Sequence, residues 1–313
     1  MNKISTVIFA SLILVNLLFY NKITAQDMSP LQILSKDILS EFTDENKLVL
    51  NEKMLDEVQK LLQKSPMIES LDSTTLLKEV ISDDKKVQII TWALQFQDQW
   101  EYYGFLKSYN ESKKTFVVMD LVPAPLENTS IKKETFTQNN WPAGVYYKII
   151  ENEHNNKTIY TLFGWIANSG ETAHKFLDVM ILNRNGEPGF SKAGIFNYQG
   201  NQLGRIVFSY HFQSRFLLDY GVYEYSEKTW NSRKKRYDIQ DFKGSLIVFD
   251  ELIPMYPDLA DYKDFMVPSG HKINAFMFEK GKWKFKEDVD ARNRKQKEKK
   301  RSVPGLELIK PNE

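Results

Sequence analysis

Four carboxylates on or beside sheet-forming stretches, Asp178, Asp219, Glu224 and Asp250, are the residues best placed by type to do chemistry. Glycoside hydrolysis needs two such groups roughly 5 to 9.5 Å apart across a sugar, one acting as acid and the other as base or nucleophile. Sequence separation does not fix that distance, and an acid at a strand end most often faces solvent. A second set is aromatic: Trp141, Tyr146, Tyr147 and Trp165 are candidate ligand-binding residues, because an exposed ring stacks on a pyranose face while a buried one is ordinary core.

Metal and nucleophile chemistry find little support. Cysteine is absent, which removes disulfides, thiol catalysis, iron–sulfur clusters and cysteine-ligated zinc. The four histidines, His154, His174, His211 and His271, lie 20, 37 and 60 residues apart and form no H-x-x-x-H pair. Asp258, Asp261 and Asp264 cluster in PDLADYKD, but a calcium loop alternates its ligands and turns at a glycine, and this segment does neither. There is no G-x-S-x-G elbow, no G-x-G-x-x-G, and no lysine after Gly200–Gly204 to make a phosphate loop. Ser-x-x-Lys recurs at Ser82, Ser130, Ser232 and Ser269 without companion motifs, as chance allows. No metal and no cofactor are expected.

The elements that would position these groups change character at Asp83. Before it the pattern is helical: Ser29-Pro30 opens a helix carrying Leu31, Leu34, Ile38 and Leu39, and Leu48, Leu55, Val58, Leu61 and Leu62 share one face of a second that stops near Ser65-Pro66. A third, shorter helix is expected from Leu71 to Ile81. After Asp83 the period falls to two. Strands are expected at 87–94, 102–109, 115–121, 144–150, 158–166, 175–182, 205–212, 217–225, 245–252, 273–278 and 282–286, separated by turns such as Asn168-Ser169-Gly170. Their short spacing leaves no room for helical crossovers, which argues for antiparallel pairing. The fold class is therefore α+β: an N-terminal helical region (26–83), then an antiparallel β domain (84–291) built as a meander, a curved sheet or an incomplete barrel, with the helices at one end.

A chain that is 42% hydrophobic and 27% charged is globular. Lys3, a mostly apolar run from Ile4 to Tyr20, and Ala25 before Gln26 have the order of a secretory signal peptide, with cleavage expected near residue 25. At the other end, RNRKQKEKKR (292–301) holds seven basic residues and one acid, leaving the body acidic. That distribution is not a nucleic-acid-binding profile. Residues 292–313 are expected to add no core; they read either as an inert solubilising tail or as a weak electrostatic tether to an anionic surface.

Several stretches also carry a resemblance: Ser82-Asp83-Asp84-Lys85-Lys86 before Ile89-Ile90-Thr91-Trp92, then Tyr103-Gly104-Phe105-Leu106, Trp141-Pro142-Ala143-Gly144-Val145-Tyr146-Tyr147, Thr161-Leu162-Phe163-Gly164-Trp165 and Gly281-Lys282-Trp283-Lys284-Phe285. With a leader ending in Ala25-Gln26, the chain resembles secreted proteins of unknown function from Bacteroidota. The resemblance implies a periplasmic or surface location and a sheet-rich fold, and no catalytic set. Two functions follow as expectations: a non-enzymatic cell-envelope protein that binds or scaffolds another envelope protein or a glycan, and, as the alternative, a carbohydrate-active hydrolase using paired carboxylates.

Overall fold

A computed structural model describes residues 28–97, 99–124, 130–132 and 134–289. The expected leader and the basic tail lie outside the described residues. Helix α1 (Pro30–Ser40) begins at a reciprocal cap: the Gln32 amide donates to Ser29 Oγ at 3.4 Å and the Ser29 amide to Gln32 Oε1 at 3.0 Å. Helix α2 (Asp44–Lys64) has Asp44 and Glu45 in its first turn and Lys64 in its last, as the helix dipole favours.

Residues 71–77 form no helix. Lys78–Ile81 is instead strand β1, because Val80 gains burial by lying antiparallel to Ile89 of β2 (Val87–Gln95). Strands β3 (Trp100–Asn110) and β4 (Thr115–Asp120) complete a first sheet in the order β1-β2-β3-β4. The middle sheet contains β5 (Val145–His154), β6 (Lys157–Ser169), β7 (Thr172–Leu182), the short β8 (Pro188–Phe190) against β7, and β11 (Arg205–His211). An outer sheet runs β10-β9-β15-β14-β13-β12, from β9 (Phe196–Tyr198), β10 (Asn201–Leu203), β12 (Leu218–Asn231), β13 (Arg236–Pro254), β14 (Met266–Glu279) and β15 (Lys282–Lys286). Pairing between these strands is antiparallel except for β15 with β9.

The α+β class therefore holds, with the strands divided among three stacked sheets and the helices laid across a face instead of an end. Leu31, Ile38, Met54, Val58 and Leu62 cover Ile90, Trp92, Leu94 and Phe105 of the first sheet. Its other face, Val87, Ile89 and Leu106, packs on Tyr146, Leu162, Phe176 and Met180 of the middle sheet. The middle sheet's second face, Phe163, Leu177 and Val179, meets Ile247, Phe249, Phe276 and Trp283 of the outer one. Because β2 is covered on both sides, Val87–Leu94 is buried throughout, and its two polar members are paired: Gln88 donates to the Glu69 carbonyl and to Glu79, and Thr91 Oγ1 accepts from the Tyr146 amide. Among the described residues no helix is long and apolar enough to cross a membrane.

Candidate functional site

The four carboxylates do not share a cleft. Asp178 is fully buried in β7; its Oδ1 accepts from the Val179 amide at 2.7 Å and Ser191 Oγ at 2.9 Å, and its Oδ2 lies 3.4 Å from Arg205. Asp219 in β12 pairs with Lys148 at 2.5 Å. Asp250, at the open end of the β12–β13 pair, accepts from the Leu217 amide at 2.7 Å, and Glu224 stands opposite Lys243 in the β12–β13 register. None of the four lines either of the two large clefts.

Nor do the four rings make one stacking surface. Trp141 and Tyr146 are fully buried between the first and middle sheets, where the indole N–H donates to Tyr146 Oη at 2.9 Å. Burial and the nearby Asp178 charge push the Tyr146 phenol far above its ordinary range. Successive strand residues face opposite ways, so Tyr147, at a bulge in β5, points to the other side and packs edge-on against Phe163. Trp165 is half-buried two residues beyond Phe163.

The acidic loop is used structurally. Asp264 accepts a hydrogen bond from the Thr172 hydroxyl, and among the described residues no group of three or more His, Asp or Glu could hold a metal ion. His174 sits beneath this loop with Nδ1 2.9 Å from Ser209 Oγ and a buried Nε2 without a partner. Burial, then the Lys263 charge, lower its pKa against the opposing pull of Asp264.

Two large recesses lie elsewhere. A cleft of about 930 Å³ opens where β3, α2, the Leu121–Ala124 segment and the start of β11 meet. Its geometry follows from unequal strand lengths. β4 pairs with β3 only up to Asp120 opposite Phe105, and after the Leu121 amide has donated to the Gly104 carbonyl the chain turns off to pair with 138–141. In an antiparallel strand alternate residues direct both backbone groups to the same side. Gly104 faces the β4 side and Gln99 faces β2, so Trp100 and Tyr102 present their N–H and C=O groups to the cleft, with no backbone partner among the described residues.

Side chains shape the rest. Tyr102 Oη accepts from the Ala167 amide at 2.8 Å, pinning the ring across to the middle sheet; burial raises its phenol pKa while the Ala167 amide and Arg205 lower it. Tyr103, on the opposite face, stacks on Trp92 at 5.7 Å and donates to Glu101 Oε2 at 2.5 Å. Arg205 forms part of the floor, donating to the Pro142 carbonyl and, at 2.8 Å, to the Ala143 carbonyl. Its charge is already matched by Asp178, whereas Asp56, Glu101 and Asp120 line the walls, so the cleft is acidic overall.

A second recess, about 1140 Å³, mixes Lys86, Lys157, Arg184 and Lys192 with Glu111, Glu153 and Glu187 and has no such preference of sign. Sequence reasoning missed Trp100, Glu101, Tyr102 and Arg205 as site residues. The only available signal was the Trp-Glu-Tyr-Tyr run, because the early end of β4 depends on a long-range pairing. Compared with known proteins, the chain matches no family model, no curated protein and no solved structure.

Proposed function

We propose that the chain is an exported, non-catalytic binding protein that captures an extended polypeptide by strand addition to the open edge of β3. The observation that carries this reading is the outward-facing backbone of Trp100 and Tyr102 inside a cleft of about 930 Å³. Main-chain hydrogen bonds along such an edge supply affinity, and side-chain recesses on alternate positions supply selectivity. The acidic walls favour a segment carrying Lys or Arg. Export rests on the charged, apolar and small-residue order of residues 1–26, and makes another envelope protein the natural source of the segment.

The test is amide exchange with a library of extended basic peptides. A binder should slow exchange of the Trp100 and Tyr102 amides, and Trp100→Pro, which deletes one edge N–H at the first residue of β3, should weaken it about tenfold while leaving the fold intact. Peptides that bind without protecting either amide, or no binding from a diverse library, would defeat the reading.

A further inference from the structure

We infer that the tip of the β12–β13 hairpin is a docking element for an anionic lipid surface. This is independent of the β3 cleft and rests on a different sheet. β12 and β13 continue well past the body of the outer sheet: β14 pairs with β13 only from Leu246 onward, so the register from Ser226–Asp241 to Asn231–Arg236 is a two-stranded ribbon with no third strand among the described residues.

A two-stranded ribbon in water gains little by carrying large apolar groups outward, yet this one does. Trp230 and Tyr237 are directly opposed on one face, with ring centres 5.1 Å apart, and are 54% and 61% exposed; Ile239, two residues on along the same face, is 64% exposed. Trp and Tyr are the residues that settle at the membrane–water boundary, with the apolar body inward and the polar edge toward headgroups.

The turn adjoining these rings supplies charge. Arg233, Lys234, Lys235 and Arg236 follow one another and are all exposed. Asn231 Oδ1 accepts from the Arg233 and Lys234 amides, both at 3.1 Å, so the turn is held in a defined shape. Asp238 offsets only part of this, pairing with Lys234 at 3.5 Å and Arg236 at 3.6 Å. Cations beside interfacial aromatics match a surface that is negative and has an apolar layer just beneath it; a soluble acidic partner would satisfy the cations but not the rings.

The path of the chain agrees. Val289 packs in the cluster beneath Tyr223, Tyr225 and Phe242 of the same hairpin, and from there the sequence runs into the basic stretch 292–301. The basic stretch thus follows, after two intervening residues, a residue that packs on this sheet. Two weak signals are what stable peripheral attachment needs.

The experiment uses the chain from Gln26 to Glu313, because the apolar run 4–20 would partition into any bilayer by itself. Binding is measured by co-sedimentation with phosphatidylglycerol-containing phosphatidylcholine vesicles at low and 0.5 M salt. Binding should appear only with the anionic lipid and fall steeply with salt. Arg233→Gln with Lys235→Gln should weaken it about twentyfold, close to fivefold per neutralised cation. Lipid carrying bromine in its acyl chains should quench Trp emission, and Trp230→Phe should abolish most of that quenching with melting temperature unchanged. Equal binding to pure phosphatidylcholine would overturn the proposal. So would loss of binding on deleting 292–313 with none on altering the hairpin, or attachment without acyl-chain quenching.

Discussion

Arg205 and Asp178 stand directly opposite one another on β11 and β7, 3.4 Å apart and almost wholly removed from solvent, on the face of the middle sheet that meets the first sheet. Their partners are complete: Asp178 accepts from Ser191 and the Val179 amide, and Arg205 donates to the Pro142 and Ala143 carbonyls. The pair therefore ties the segment before β5 and the loop after β8 to the centre of the middle sheet and fixes one wall of the cleft.

Breaking half of such a pair is costlier than removing all of it, since the survivor is left charged or unbonded in the interior. Arg205→Met is expected to lower stability by about 3–5 kcal/mol, and Arg205→Met with Asp178→Leu to recover a good part of that loss. Urea unfolding of the two variants at pH 7 checks this. A double variant no more stable than the single one would mean that the carbonyl contacts, not the charge balance, dominate.

Burial pushes the Asp178 carboxyl up to about 6 from an ordinary 3.8, against the opposing effects of Arg205, Ser191 and two amides. Between those values the folded chain keeps a proton that the unfolded chain has released. The stability linked to this group is complete below pH 3.8, falls as the pH rises toward 6 and is flat above, a loss of about 3 kcal/mol across the window. Asp178→Asn removes the titration, so the slope of stability against pH from 4 to 6 should be more negative in the wild type than in the variant. His174, whose lowered pKa acts in the opposite direction, is present in both proteins and cancels. Parallel slopes would contradict the assignment.

How far the fold could be read from sequence depends on whether the information is local. Alternation located most of the longer strands, and Ser29-Pro30 located α1, because pleat and cap are set by adjacent residues. The helix expected at 71–81 failed because its Leu71, Leu76, Leu77 and Val80 are apolar for tertiary reasons: Val80 packs between the first and middle sheets while the leucines join the helix side. Strands β12 and β13 run beyond their expected limits since most ribbon residues are polar and face water, and Trp230, Tyr237 and Ile239 alone make too short an apolar pattern to mark two strands. Trp141 and Tyr146 looked like ligand contacts for the same reason that they are core: the type of a ring does not record which layer covers it. The cleft was invisible because it is made by the difference in length between β3 and β4.

Lys107 shows a buried charge used as a helix stop. Its ammonium donates to the Leu62 and Ser65 carbonyls at 2.9 Å and to Met67 at 2.5 Å, gathering acceptors at and just beyond the end of α2 that lack helical donors. Burial lowers its pKa, with Glu69 opposing. Lys107→Met keeps the stem and deletes three donors, and is expected to cost about 2–4 kcal/mol. Amide exchange should accelerate first in the last turn of α2. A loss below about 1 kcal/mol would show that water replaces the ammonium.

Phe176 transmits packing to the same ion pair. The Arg205 guanidinium lies over its ring at 3.9 Å, and the ring's tip is accommodated only because Gly164 and Gly144 carry no Cβ: one added at Gly164 would come within 2.2 Å of the ring, and one at Gly144 within 2.4 Å. The neighbour is a rigid aromatic held by Tyr146 at 5.6 Å, so it cannot simply swing aside. Gly164→Ala is therefore expected to destabilise by about 1–3 kcal/mol through overpacking. Because the strain passes through the ring, the cost should fall by more than half in a Phe176→Leu background, where the smaller side chain vacates the space. A double-mutant cycle by urea unfolding measures that coupling directly, and additive effects would mean that the main chain at Gly164, not the Phe176 ring, sets the requirement for glycine.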